Sequence, residues 1–211
     1  FRAYFKEIVY VCHMDYKEKL QSMSGFIGDV RKIPKEINKH TKMLCWKYNQ
    51  TSPLQIDDRM HILKELFGSY EDTTVVQPPV WMDFGFNIHF RGWAYINYGC
   101  VFLDTSPIMI GEGVFIAPGV ILTCATHPVD EKQRVDEGLE ISKPIVLGDH
   151  VWIGAHSTIC GGVSIGHGSV IGAGSVVLHD IPSGVIAAGV PCKVIRMINA
   201  ADRISSEQID F

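Results

Sequence analysis

One histidine in this chain is placed where an imidazole could act as a general base. His127 sits in the run Cys124-Ala-Thr-His-Pro-Val-Asp130, and a polar stretch follows it to about Lys143. An imidazole at the root of such an excursion can face a cleft, and the ordinary titration range of histidine suits proton transfer near neutral pH. His150, His156, His167 and His179 read instead as exposed corners, the first two being six residues apart. Two histidines on adjacent turns of chain do not converge with a third ligand, so no metal site is expected. Asp83, Asn97 and Asp104 interrupt an otherwise apolar pattern. They are either solvent-facing corner residues or polar groups for a ligand. Lys193 and Arg196, just after Gly189-Val-Pro-Cys192, put two cations on one short strand. That is either plain surface charge or an anion site for a phosphorylated ligand. The glycine-rich string from Gly166 to Gly174 lacks the Lys-Ser/Thr and the strand-to-helix setting of a phosphate loop.

Such residues need a scaffold, and the chain carries one strong regularity. Leu147, Ile153, Ile159, Ile165, Ile171 and Val177 recur every sixth position. Neither a helix (period 3.6) nor an alternating strand (period 2) predicts a period of six, whereas a chain that turns a corner after each short strand does. Gly148, Gly154, Gly166 and Gly172 follow four of these residues directly, where a Cβ would crowd a tight bend. Four residues after the apolar ones stand small or β-branched side chains: Val151, Ser157, Val163, Ser169 and Ser175. The same phase appears upstream at Phe84, Phe90, Ile96 and Phe102, and again at Ile110, Ile116 and Leu122. A two-residue bulge is expected around Asp104 to Pro107, and between Leu122 and Leu147 a segment must leave the coil. Three six-residue sides close a triangular turn, and stacked turns bury a continuous apolar column, which is a parallel β-helix. A Gly-rich sandwich would show two-residue alternation and Asn-Gly hairpins, which are absent.

The 211 residues allow one domain with an appendage, a net charge of −4 without basic runs argues against nucleic acid, and no stretch is apolar for long enough to span a membrane. The six cysteines are scattered and several occupy repeat positions, which favours buried free thiols and a reducing, cytoplasmic setting. Residues 57–67 read as a helix with Met60, Leu63 and Phe67 on one face, an N-cap at Asp57 or Asp58 and a stop at Gly68. Residues 41–48 read as a second, shorter helix, and together the two would cap the first coil. The expected division is an unassigned extension (1–38) without a signal-peptide pattern, a helical cap (39–80), the β-helix (81–198) and a tail (199–211).

Taken together, Asp83-Phe-Gly-Phe-Asn-Ile, Asn97, Leu103-Asp104, Ala125-Thr-His-Pro-Val-Asp130, Val151-Trp-Ile-Gly154, Ile171-Gly-Ala-Gly174 and Ala188-Gly-Val-Pro-Cys192 resemble the maltose and galactoside O-acetyltransferases of the hexapeptide acyltransferase superfamily. The likeness runs from about Lys42 to Ile198. It implies a left-handed β-helix, a homotrimer with sites between subunits, acetyl-CoA as donor and a sugar hydroxyl as acceptor. By matched position His127 is the implied base, and Asn97 the residue that helps bind the acceptor and stabilise the oxyanion. Asp83 and Asp104 match the acceptor pocket, with Thr105 competing for the place of Asp104 across the bulge. Ala155 and Ala173 match positions whose backbone lines the pantetheine arm, and Lys193 and Arg196 match cations near the nucleotide end. Leu178-His179-Asp180 departs from the family's Thr-Lys-Asp at the cofactor, and Met43-Leu-Cys-Trp-Lys-Tyr48 departs from Met-Leu-x-Gly-x-x-Tyr. Two other readings remain at this stage: a non-sugar acceptor on the same fold, and a catalytically silent β-helix scaffold.

Overall fold

Each apolar residue of the six-residue repeat points inward, and the coils they form stack in register. The computed structural model describes residues 16–209. The first side of the prism comprises strands Ile88–Phe90, Ile108–Ile110, Ile145–Leu147 and Ser164–Ile165. The second comprises Val75–Val76, Ala94–Ile96, Val114–Ile116, Trp152–Ile153, Val170–Ile171 and Val185–Gly189, and an antiparallel strand, Cys192–Met197, closes it. The third comprises Val80–Met82, Cys100–Leu103, Ile121–Thr123, Thr158–Cys160 and Val176–Val177. The chain visits the sides in rotation, so every pairing within a coiled side is parallel. On the second side Ile96, Ile116, Ile153 and Ile171 stack directly on one another, each fully buried, and each such side chain contributes on the order of 1.5–3 kcal/mol.

The small residues of the repeat have a more specific role than flat strand formation. Ser157, Ser169 and Ser175 are fully buried. Their hydroxyls donate to backbone carbonyls, Ser157 to Gly172 at 3.1 Å and Ser169 to Pro182 at 2.6 Å. The glycines after the apolar residues also differ from expectation. Gly154 has no positive φ; a Cβ there would meet the Ala173 nitrogen of the next coil at 2.5 Å. The left-handed conformation falls two residues later, at Gly168 and Gly174 and, without glycine, at His150 (φ 59) and His156 (φ 57). All four histidines expected at corners are exposed.

Two helices cover the first coil. Helix α1 is the short Tyr16–Leu20, α2 is Glu36–Asn49, longer than the expected 41–48, and α3 is Ile56–Leu66. The N-cap of α3 is Gln55 without a side-chain bond, so neither Asp57 nor Asp58 caps it. Its buried face is Leu63 and Leu66, with Phe67 beyond, while Met60 is only half-buried. Asn49 at the end of α2 mimics a strand: its amide donates to the Val80 carbonyl and accepts from the Val80 nitrogen, both at 2.9 Å. At Val80 the otherwise open edge of the first coil is thereby paired. The coil itself begins at Val75, inside the stretch expected to belong to the cap.

The bulge and the excursion both appear where the repeat fails. Residues 104–107 bridge two strands, and residues 124–144 leave the prism as a strand, Ala125–Thr126, a short helix α4 (Glu131–Val135) and a returning strand, Leu139–Ser142. The supposedly unassigned extension contributes here: Phe26–Asp29 pairs antiparallel with Leu139–Ser142, aligning Asp29 with Leu139. Residues 1–15 of that extension, with Cys12, and residues 210–211 of the tail lie outside the described residues. The five cysteines among the described residues are free, four of them buried.

Candidate active site

Chemistry-bearing residues gather on two edges of the prism. The edge between the third and first sides carries Asp83, Asp104, Thr105, the excursion with His127, and Leu178. Strand Leu139–Ser142 returns past His127 because Ala125 and Thr126 pair with Ser142 and Ile141. The imidazole is exposed, with its Nδ1 3.1 Å from the Leu139 carbonyl oxygen. A carbonyl can only accept, so this contact places the proton on Nδ1 and leaves Nε2 as the open base.

The same edge holds a cavity of about 450 Å³, whose wall includes Arg31, Lys42, Asp83, Phe84, Thr105 and Glu140 but not His127. Burial raises the Asp83 carboxyl above the usual carboxylate range, with the Lys42 ammonium working against the rise. Glu140 is buried on the strand next to Leu139; burial raises its carboxyl too, and the positive form of His127 opposes that. Thr105 Oγ and Ser142 Oγ lie 2.7 Å apart, and Ser142 donates to Ser106 at 2.7 Å, a hydroxyl chain under the cavity floor.

The structure changes the role of Asp104. Expected at the acceptor, it is fully buried and forms no part of the cavity wall; its Oδ1 accepts from the backbone nitrogens of Asp83 (3.0 Å) and Phe84 (2.9 Å). Thr105, one residue on, faces the cavity instead. Glu140 and Arg31 were not anticipated. The one available signal for Glu140 was the run Leu-Glu-Ile-Ser, in which the polar residues share the buried phase of a strand. Nothing in the sequence pattern pointed to Arg31, which Asp29 holds by a 2.8 Å ion pair.

Asn97, Ala155 and Ala173 lie on the other edge, between the second and third sides. In the stacked register, Asn97 is followed in successive coils by Ala117, Gly154 and Gly172. One residue further along each corner stand Pro118, Ala155 and Ala173. Above Asn97 this edge therefore carries small residues at both corner positions, with the exposed His156 following Ala155. Asn97 itself borders a small hollow of about 190 Å³ with Tyr95, Phe115 and Trp152. At the top of the second side Lys193 is exposed, whereas Arg196 is held by a bidentate pair with Asp202, at 2.8 Å to one oxygen, so its charge is already partnered. Leu178 is exposed on the third–first edge, away from Ala155 and Ala173.

A side spans about five residues at roughly 3.3 Å each, so the edges of Asn97 and His127 stand on the order of 15 Å apart in one chain. No group of three histidine, cysteine or acidic side chains able to hold a metal occurs among the described residues. No helix among them is long and apolar enough to cross a membrane.

A stacked-hexapeptide prism with an extruded histidine loop defines the class: an acyltransferase of the hexapeptide-repeat type. Residues 144–179 match the bacterial transferase hexapeptide (six repeats), and residues 35–71 match the maltose acetyltransferase hexapeptide capping motif. The galactoside O-acetyltransferase of Escherichia coli strain K12 is 43% identical over 191 residues, which is 90% of this chain and 93% of that protein. A solved galactoside acetyltransferase in complex with coenzyme A superposes with a TM-score of 0.81 at 38% identity, over 90% of this chain and 94% of that one. A maltose O-acetyltransferase from Clostridium difficile 630 does so with the same TM-score and identity, over 88% and 98%. The chain belongs to the galactoside and maltose O-acetyltransferase family.

Proposed function

We propose that this protein transfers an acetyl group from acetyl-CoA to a hydroxyl of a sugar or glycoside, with His127 as general base. The observation that carries the reading is the contact of His127 Nδ1 with the Leu139 carbonyl, on the strand whose next residue, Glu140, lines a cavity together with Asp83 and Thr105. Nε2 takes the proton of the acceptor hydroxyl as its oxygen attacks the thioester carbonyl, and returns it to the leaving sulfur. Asp83 accepts hydrogen bonds from the hydroxyls of the acceptor, and Asn97 donates its amide N–H to the oxygen that takes up negative charge. The backbone at Ala155 and Ala173 lies along the pantetheine arm, with Lys193 towards the phosphates.

Since His127 and Asn97 lie on different edges, the site is completed by a neighbouring copy, and the assembly is a homotrimer. An outward apolar ladder supports this: Val75, Tyr95, Phe115, Trp152, Val170 and Ile186 stand in register along the second side, flanking the Asn97 edge. Trp152 is 53% exposed and Phe115 46% exposed, more than a solvated face favours. A neighbour packed there brings its histidine edge to Asn97. The free thiols support a cytoplasmic location. The test is incubation of the protein and acetyl-CoA with a panel of sugars and glycosides, followed by thiol release and product mass. An acetylated sugar is expected, and thiol release with no sugar in the panel overturns the reading.

A further inference from the structure

Accepting the cavity as the acceptor site, the turn beneath it is held by a group the acceptor never meets. The chain passes from the third to the first side through Asp83, Phe84, Gly85 and Phe86. Oδ1 of Asp104, in the coil above, takes both the Asp83 N–H at 3.0 Å and the Phe84 N–H at 2.9 Å. Asn87 fastens the far end of the same turn by donating to the Asp104 carbonyl at 2.7 Å, and Thr41 of α2 donates to the Phe84 carbonyl, also at 2.7 Å. Asp83 and Phe84 are both part of the cavity wall. Asp104 is not, and it is fully buried.

A carboxyl is a costly way to tie two coils in a dry interior. Elsewhere the prism makes such ties from its surface: exposed Asp149 accepts from the Glu112 nitrogen at 3.0 Å, and exposed Asp180 accepts from the Ser164 nitrogen at 2.7 Å. Under the cavity the same device is sunk into the interior, with Oδ2 left without a partner. Coil stacking alone therefore does not call for burial. The buried tie differs in what it holds, since the backbone it grips carries an acceptor-facing carboxylate. We propose that Asp104 is a positioning residue for the acceptor: through the Asp83 and Phe84 amides it fixes the turn that aims the Asp83 side chain into the cavity, without touching the acceptor.

The inference rests on the acetyltransferase reading, and steady-state kinetics with acetyl-CoA and a methyl galactoside separate the two. A wild-type protein that acetylates neither this glycoside nor any other sugar overturns both. Given wild-type turnover, Asp104→Ser, whose shorter side chain reaches at most one of the two amides, raises the acceptor KM tenfold or more and leaves the acetyl-CoA KM within twofold. Asp104→Asn keeps an oxygen for both amides and holds the acceptor KM within threefold of wild type. In an Asp83→Ala background, Asp104→Ser adds less than twofold, because its effect runs through Asp83. The inference is overturned if Asp104→Asn loses as much as Asp104→Ser, which would mean the charge itself meets the acceptor. It is equally overturned if both KM values rise together or if the loss adds in full to that of Asp83→Ala. Should the Ser variant not fold, the Asn variant decides: an acceptor KM within threefold supports the proposal and a tenfold rise ends it.

Discussion

The two edges that flank the third side of the prism are built from opposite materials. The Asn97 edge is periodic: small residues repeat up the column and the backbone of each coil rests on the next. The His127 edge breaks the period twice, at the bulge and at the excursion. All three buried side-chain atoms that lack a partner among the described residues, Asn87 Oδ1, Asp104 Oδ2 and Glu140 Oε1, fall there. A repeat suffices where the chain has only to bury apolar surface and stack one coil closely on the next. Where it has to present hydroxyls, carboxyls and an imidazole in fixed directions, local rules give way and polar groups are left strained for partners.

The largest effect separates the edges by function. His127→Ala should lower kcat by about 10²- to 10⁴-fold while the acetyl-CoA KM stays nearly unchanged, because the base acts in the transition state and the proposed donor contacts come from Ala155, Ala173 and Lys193 rather than from the imidazole. Steady-state kinetics in both substrates check it. Full turnover in this variant would remove the mechanism.

Asn97→Ala tests whether the edges work together. Loss of one oxyanion donor costs roughly 10²-fold in kcat, near 3 kcal/mol. Mixing it with His127→Ala, each nearly inactive alone, should restore activity through mixed trimers whose seams pair an intact Asn97 with an intact His127. If mixtures co-refolded from denaturant stay at the sum of the two residual activities, the two residues do not meet across a seam.

How much of this could be read from sequence follows the same division. The column Ile96, Ile116, Ile153 and Ile171 was legible because burial imposes one residue type at one spacing. The position of His127 at the root of the excursion was legible because it marks where the spacing ends. Glu140, Arg31 and the inward turn of Asp104 were not, because each depends on pairing between distant segments: residues 26–29 against 139–142, or a carboxyl reaching from one coil to amides in another. The role of Gly154 was misjudged for a related reason. Its constraint is a neighbour in the next coil, which local bend geometry does not reveal.

A smaller effect is written in the pH dependence of stability. Burial first, and then the charge of Asp83, push the Asp104 carboxyl up to about 7; burial also raises Asp83 and Glu140. The folded chain therefore holds protons that the unfolded chain has released. Between about pH 4 and pH 7 the unfolded state binds fewer protons, so stability falls as pH rises, and the loss levels off above the folded value. Asp202 acts in the opposite sense: Arg196 draws it down to about 2, and its contribution is lost only as pH falls below about 4. Thermal midpoints measured from pH 4.5 to 7.5 should decline, and Asp104→Asn should flatten the slope. A slope unchanged by the variant would show that Asp104 is ionised in the folded state throughout.

The smallest effect concerns stacking at the corners, and comes from making one substitution at Gly154 on the periodic edge and at Gly168 on the corner between the first and second sides. At Gly168 (φ +66) nothing lies within 4 Å of an added Cβ. Alanine there pays about 1–2 kcal/mol for left-handed backbone, partly offset by the reduced freedom of the unfolded chain. At Gly154 the backbone conformation is ordinary, but the Cβ would lie 2.5 Å from the Ala173 nitrogen and 2.7 Å from the Ile171 oxygen. Those atoms are locked in the ladder of the next coil, where the Gly154 nitrogen donates to that Ile171 oxygen at 2.8 Å, so the coils must part to admit it. Overpacking of this kind costs about 1–3 kcal/mol. Gly154→Ala should therefore lower the thermal midpoint more than Gly168→Ala, and it alone should raise the acetyl-CoA KM, because Gly154 lies beside Ala155 on the edge proposed to hold the donor. Equal midpoints with an unchanged acetyl-CoA KM would mean that coil spacing on this edge is soft, and that its small residues serve neither close stacking nor the donor.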